Sequence, residues 1–197
     1  MRYKLGLTGS IGMGKSTTAA MFSELGCAVW DADAAVHRLY GTGGAAVPMI
    51  GAIWPNAIDN GTISRDTLRE IMAQDPSALP QIEAIVHPLV QGDRSEFIKS
   101  NSDKIGIFDI PLLFETGGDK ALDAVACVSV SPEIQRKRVL ARGTMTMENL
   151  TQILARQMPN DEKCRRSTYV IETDSLDHAK AQVSAIVADI EGKLADA

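Results

Sequence analysis

The chain lacks the cationic excess of a nucleic-acid binder. Lys and Arg total 20 against 25 Asp and Glu, a formal net charge of −5, and the pI is near 5.2. Such a balance excludes affinity built by coating a phosphate backbone with positive charge. No apolar run approaches the roughly 18 residues that a membrane span requires. The opening MRYKLGLTGS runs straight into a strand and a Gly-rich loop without a signal-peptide pattern. The expected setting is therefore the cytoplasm, with neither nucleic acid nor membrane as partner. Cysteine is scarce: Cys27, Cys127 and Cys164 are odd in number and widely spaced, and form no C-x-x-C or Cys/His metal pattern. They read as reduced, buried thiols. Internal repeats and low-complexity tracts are also missing. What remains, 45% hydrophobic and 23% charged over 197 residues, is the mixture of an ordinary globular domain with room for one insertion.

Five short runs are almost wholly apolar: residues 3 to 8, Cys27 to Trp30, Ile105 to Phe108, Ala124 to Val130 and Tyr169 to Ile171. Helical stretches separate several of them. One covers Ser16 to Leu25 and is closed by Gly26; another starts at Ser131-Pro132 and carries Gln135 to Arg142. Near the C-terminus Val183, Ile186, Val187, Ile190 and Leu194 form one helical stripe. Strands apolar on both faces, alternating with helices, predict a parallel sheet covered on both sides. The fold class is thus α/β, three layers around a parallel five-stranded sheet. Residues 43 to 102 hold no convincing strand, while Leu79, Ile82, Val86, Leu89 and Val90 recur at helical spacing. That segment reads as a helical insertion.

Gly9-Ser10-Ile11-Gly12-Met13-Gly14-Lys15-Ser16 fits G-x(4)-G-K-[ST] between a strand and a helix, the context such a motif needs. Glycines let backbone N–H groups turn inward around phosphates at a helix N-terminus, where unpaired amides favour anions. The expected nucleotide contacts are Gly9, Ile11, Gly12, Met13, Gly14, Lys15, Ser16 and Thr17. Lys15 would reach the β- and γ-phosphates as an exposed loop lysine, and Ser16 would ligate Mg²⁺, making ATP and Mg²⁺ the expected cofactors. The plainer alternative is a Gly-rich turn with a solvated lysine. A dinucleotide motif fails, because G-x-G-x-x-G over Gly12 and Gly14 meets Thr17.

Phosphate loops serve many reactions, so other residues must choose among them. No [NT]-K-x-D guanine-reading pattern occurs. A basic island from Arg136 to Arg166 suits a lid that keeps water from the γ-phosphate, the requirement of a kinase. Gln135, Arg138 and Arg142 share a helical face, and two guanidiniums suit a transferring phosphoryl group; a solvated charged face is the alternative. Asp33, read as ending the second strand, would accept the proton of an acceptor hydroxyl, or Asp31 and Asp33 are simple helix caps. Asp109, ending the third, would bind the waters of Mg²⁺ or serve as a structural carboxylate. His87 precedes Pro88, where a helix should break, so it is a substrate contact or a histidine in the core or at a helix end. His37 and His178 have no evident role.

On these residues the chain resembles the dephospho-coenzyme A kinase family along nearly its whole length. LGLTGSIGMGKST is similar to the family's opening, Asp31-Ala32-Asp33 to its acidic turn and Glu83-Ala84-Ile85-Val86-His87-Pro88 to its H-P segment. Asp109-Ile110-Pro111-Leu112-Leu113-Phe114-Glu115 resembles D-x-P-L-L-F-E, Gln135-x-x-Arg138-x-x-x-Arg142 its lid pattern, and Arg156-Gln157-Met158-Pro159 its R-Q-x-P stretch. The resemblance implies a P-loop core, a coenzyme-binding insertion at about 43 to 102 and a lid at about 135 to 160. It implies transfer of phosphate to the ribose 3′-hydroxyl of dephospho-coenzyme A; a monomer or weak homo-oligomer is the expected assembly. Asp33 would be the general base, Lys15, Arg138 and Arg142 would hold the transferring phosphate, and Asp33, His87, Leu112 and Glu115 would contact the coenzyme. After the last strand the family carries Asn and Gly, where this chain reads Glu172-Thr173-Asp174-Ser175, which leaves the adenine contact open. Kinases of nucleoside monophosphates, sugar acids or shikimate are the nearest rivals; an ATP-gated binding module is the rival from another class.

Overall fold

A computed structural model describes residues 1–143 and 145–196. The apolar runs become strands β1 (Tyr3–Thr8), β2 (Ala28–Asp31), β5 (Ile105–Asp109), β6 (Ala124–Ser129) and β7 (Tyr169–Glu172). They form one sheet in the order β2-β5-β1-β6-β7. The ladders of β1 with β5, β1 with β6 and β6 with β7 are parallel, in a register that sets Leu7 beside Asp109 and Thr8 beside Cys127. Both sheet faces are covered, as the lack of polar alternation required: Leu5, Leu7, Ile107, Ala126, Val128 and Ile171 are wholly buried. Each buried Leu, Ile or Val among them is worth about 1.5–3 kcal/mol.

Two helices flank this core. In α1 (Lys15–Glu24), Met21 and Phe22 are buried; in α9 (Leu176–Ala195), Val183, Ile186, Val187 and Ile190 are. All six join the strand residues in one cluster, so the expected helical stripe is the face that packs. The Ser175 hydroxyl accepts the His178 N–H at 3.2 Å and starts α9. Three further helices, α6 (Pro132–Ala141), α7 (Met147–Arg156) and α8 (Asn160–Arg166), follow β6. Ser131 caps α6, and Thr146 with Asn149 forms a capping box on α7. Thr144, inside the expected lid, lies outside the described residues.

Residues Asp31–Ser100 form a second compact unit. It contains α2 (Ala32–Tyr40), α3 (Ala46–Ile53), a hairpin of β3 (Ile58–Asp59) with β4 (Thr62–Ile63), α4 (Arg65–Gln74) and α5 (Ala78–Ser100). The unit begins at Asp31 and so takes in α2, which the sequence reading left outside the insertion. The hairpin went unseen because each strand has two residues, too few for any alternation, although Asn60-Gly61 at its turn, with φ of 48° and 78°, is a hairpin signal. Leu39, Ile50, Ile63, Leu68, Ile82 and Val86 form its own core. Arg38 grips Asp93 through Nη2 at 2.6 Å and Nε at 3.2 Å, tying α2 to α5. Among the described residues no helix is long and apolar enough to cross a membrane.

Candidate active site

The phosphate loop joins β1 to α1, and two of its glycines have backbones that a side chain would strain. Gly12 has φ 79°, and a Cβ there would lie 2.6 Å from Val139 Cγ2. Gly14, the residue before α1, has φ 93°, and its Cβ would meet Thr173 Oγ1 at 3.0 Å. The loop is therefore pressed between α6 on one side and the residues after β7 on the other.

Polar side chains complete the seating. Buried Gln135 donates from Nε2 to the Ile11 carbonyl at 2.8 Å. The Thr173 hydroxyl donates to the Met13 carbonyl at 2.7 Å and accepts from Arg138 Nη1 at 3.0 Å, while Arg138 Nη2 donates to the Thr173 carbonyl. The Ser10 N–H donates to Asn160 Oδ1 at 2.9 Å. Three carbonyl or amide groups of the loop are thus fixed from outside it. That is preorganisation: the loop holds its shape before an anion arrives.

Lys15 opens α1 and pairs with Asp109, whose side chain is 1% exposed. The lysine is 16% exposed, so it is not the solvated loop residue the sequence implied. Ser16 and Thr17 are exposed on the first turn of α1. A cleft of about 620 Å³ runs past Gly12, Gly14, Thr17, Arg138, Arg142 and Asp174. Arg142 is the C-cap of α6 and exposed, whereas Arg138 is half-buried and bound to Thr173.

The D-x-P-L-L-F-E segment leaves β5 toward α8. Leu112 is 42% exposed and Leu113 and Phe114 are buried. Glu115 accepts from Lys163 Nζ at 2.9 Å and, through the same oxygen, from the Met158 N–H at 2.9 Å. Burial works against the charge of Glu115, but those hydrogen bonds and the Lys163 ammonium together outweigh it and hold the carboxyl below its ordinary range. Lys163 is wholly buried and also donates to the Pro111 carbonyl at 2.8 Å. Part of the basic island is thus internal structure, since Lys163 is enclosed, whereas Arg165 pairs with Glu162 on the surface and Arg166 lies 4.6 Å from the Phe114 ring.

In the second unit the acidic turn divides its labour. Asp31, not Asp33, ends β2, and its Oδ1 accepts the Ala34 N–H at 2.9 Å as the cap of α2. Asp33 lies in the first helical turn, exposed. His87 is exposed in the middle of α5, which continues through Pro88. The expected break and the core or helix-end placement of His87 are therefore corrected. Pro88 and Ala84, one turn earlier, are both exposed, so the turn from which proline removes a donor lies on the outer face of the helix.

Thr173, Asn160 and Lys163 were missed as site-forming residues. Each forms a contact more than thirty positions away in sequence, and no local pattern encodes such partners.

The dephospho-CoA kinase family model (CoaE) matches residues 3–178. The chain is 63% identical over 190 residues to a dephospho-CoA kinase of Ruegeria pomeroyi, with 96% of each chain covered. It is 58% identical to one of Jannaschia sp., covering 96% of this chain and 98% of that one. A crystal structure from Thermus thermophilus superimposes with a TM-score of 0.84 at 31% identity, covering 95% of this chain and 97% of that one. The phosphate loop, the seating around it and these likenesses have one reading: the chain belongs to the dephospho-CoA kinase family.

Proposed function

We propose that the chain transfers the γ-phosphate of ATP to the ribose 3′-hydroxyl of dephospho-coenzyme A, giving coenzyme A and ADP, with Asp33 accepting the hydroxyl proton. The observation that carries this reading is the phosphate loop held rigid by Gln135, Thr173 and Asn160 at the N-terminus of α1, within a chain of this family.

The loop amides and the α1 dipole would bind the β- and γ-phosphates. Lys15 would turn from Asp109 to the γ-phosphate as ATP enters. Arg142, exposed at the end of α6, would add its planar fork to the equatorial oxygens as charge develops there. Arg138 would act from its seat on Thr173, fixing the cleft wall and the loop together. Asp33, His87, Leu112 and Glu115 stand as the proposed coenzyme contacts, with Glu115 acting through the segment that it anchors to Lys163. The unit formed by residues 31 to 100 is the proposed coenzyme-binding insertion.

Mg²⁺ fits the donors present. The Ser16 hydroxyl and the Asp109 carboxylate are the hard oxygen ligands it takes, directly or through water, and when bound it would neutralise charge on the phosphates.

The test is ADP release with dephospho-coenzyme A, adenosine monophosphate, shikimate and gluconate offered in turn. Turnover of dephospho-coenzyme A far above the others is expected. Preference for any of the other three would overturn the substrate while leaving the phosphate loop as the ATP site.

A further inference from the structure

Two of the three cysteines meet behind the phosphate loop. Cys127 lies wholly buried on β6, and Cys164 lies half-buried on α8 with its Sγ 3.6 Å from that of Cys127. Asn160 stands one helical turn before Cys164 and touches both sulfurs. Its Nδ2 is 3.6 Å from Cys164 Sγ, and its Oδ1 is 3.9 Å from Cys127 Sγ. The same Oδ1 accepts the Ser10 N–H of the phosphate loop at 2.9 Å. Nothing in the phosphoryl transfer described above uses either thiol.

We infer that Cys127 and Cys164 form a dithiol site, oxidised by peroxide, whose disulfide switches the phosphate loop off. The half-buried Cys164 reacts first: its sulfur takes one oxygen of hydrogen peroxide to give a sulfenic acid, and the thiol proton leaves with the displaced hydroxide as water. The Cys127 thiol then attacks the Cys164 sulfur, and its proton departs with the second hydroxide as water. Two thiols are oxidised, one peroxide is reduced, and a small dithiol reverses the change. Cys127 is wholly buried and Cys164 is not, so peroxide reaches Cys164 and Cys127 is the resolving partner; burial also raises the Cys127 thiol well above its ordinary range.

The consequence follows from distance. A disulfide places its sulfurs about 2.0 Å apart, so sulfurs now 3.6 Å apart must approach by about 1.6 Å. Cys127 is fixed in the sheet, so α8 supplies the movement and carries Asn160 with it. A hydrogen bond to Ser10 of 2.9 Å does not survive a displacement of more than about 1 Å. The loop then loses one of its outside supports.

The experiment treats the full chain with graded hydrogen peroxide, blocks remaining thiols and maps the linked peptides. ADP release is measured before and after dithiothreitol. The expected result is a Cys127–Cys164 linkage that grows with dose, and turnover lowered about tenfold, the loss of one hydrogen bond at the loop, then restored by the reductant. Cys164→Ser, or Cys127→Ala if the former does not fold, should keep its turnover under the same dose; Cys27→Ser should fall like the natural chain. No linkage, linkage without loss of turnover, or equal loss in the Cys164→Ser or Cys127→Ala chain would each overturn the switch.

Discussion

Lys163, with none of its side chain exposed, lies 2.9 Å from Glu115, whose side chain is 19% exposed. The pair ties the segment after β5 to α8, and the Pro111 carbonyl adds a second acceptor to the same ammonium. Removing one member leaves a charge in a dry place, whereas removing both does not. Lys163→Met should destabilise the fold by about 3 kcal/mol. Adding Glu115→Leu to it should return most of that loss. Denaturant midpoints of the two single variants and the double variant measure the coupling; simple additivity would show that the pair is not a unit.

The same carboxyl predicts an acid limb in stability. Its folded-state pKa is lowered, so its contribution is present above the unfolded value of about 4.3 and is lost as pH falls through the lower folded value. The stability gap between the natural chain and Glu115→Gln should be constant above about pH 5 and narrow below about pH 4. A gap independent of pH down to acid unfolding would contradict the ion pair.

Thr173 connects the loop to the cleft wall, donating to Met13 at 2.7 Å and accepting from Arg138 at 3.0 Å. Thr173→Val keeps the shape and removes the hydroxyl, so kcat/KM for ATP should fall about tenfold. Thr173→Ser should restore most of it. Steady-state kinetics on the two variants decide, and a loss in Thr173→Ser without one in Thr173→Val would point to the methyl group instead.

Lys15→Ala tests the loop with a correction to the simplest expectation. A solvated lysine could be removed at no cost to the fold, but this one faces a carboxylate that is 1% exposed. Phosphoryl transfer should be abolished and the melting temperature should also drop. Adding Asp109→Asn should recover the melting temperature and no activity. Retained turnover in Lys15→Ala would remove the loop from the reaction.

The sheet was legible because every strand of it is short and apolar on both faces. The phosphate loop was legible because glycine, lysine and serine are needed at fixed spacing to turn amides inward. Arg138 and Gln135 were visible as a helical face, yet their partners, Thr173 and Ile11, lie 35 and 124 positions away in sequence. Lys163 was counted in the basic island because charge is read as solvated by default, and only the tertiary fold brings Glu115 and Pro111 to it. The β3–β4 hairpin is held by the packing of Ile58 and Ile63 against the second core, not by its own pattern.

The acidic turn gives the sharpest test of the proposed chemistry, because two carboxylates two positions apart differ in structural duty. Asp31 accepts the Ala34 N–H at 2.9 Å and so caps α2. Asp33 is exposed in the first turn of that helix. A capping residue acts on stability: Asp31→Ala should cost about 1 kcal/mol. A base acts on rate: Asp33→Asn keeps the side chain's size and removes its charge, so the single-turnover rate should fall by about 10² or more. Because a loose phosphoryl-transfer transition state relies mainly on positioning, the fall need not be complete. Binding of dephospho-coenzyme A to Asp33→Asn, followed by calorimetry, should persist, which separates chemistry from affinity. The two variants should therefore cross, Asp31→Ala losing stability with most of its rate kept and Asp33→Asn losing rate with its melting temperature kept. Should Asp33→Asn retain its full single-turnover rate, proton acceptance does not reside at Asp33, and transfer rests on the loop, Lys15 and Arg142 alone.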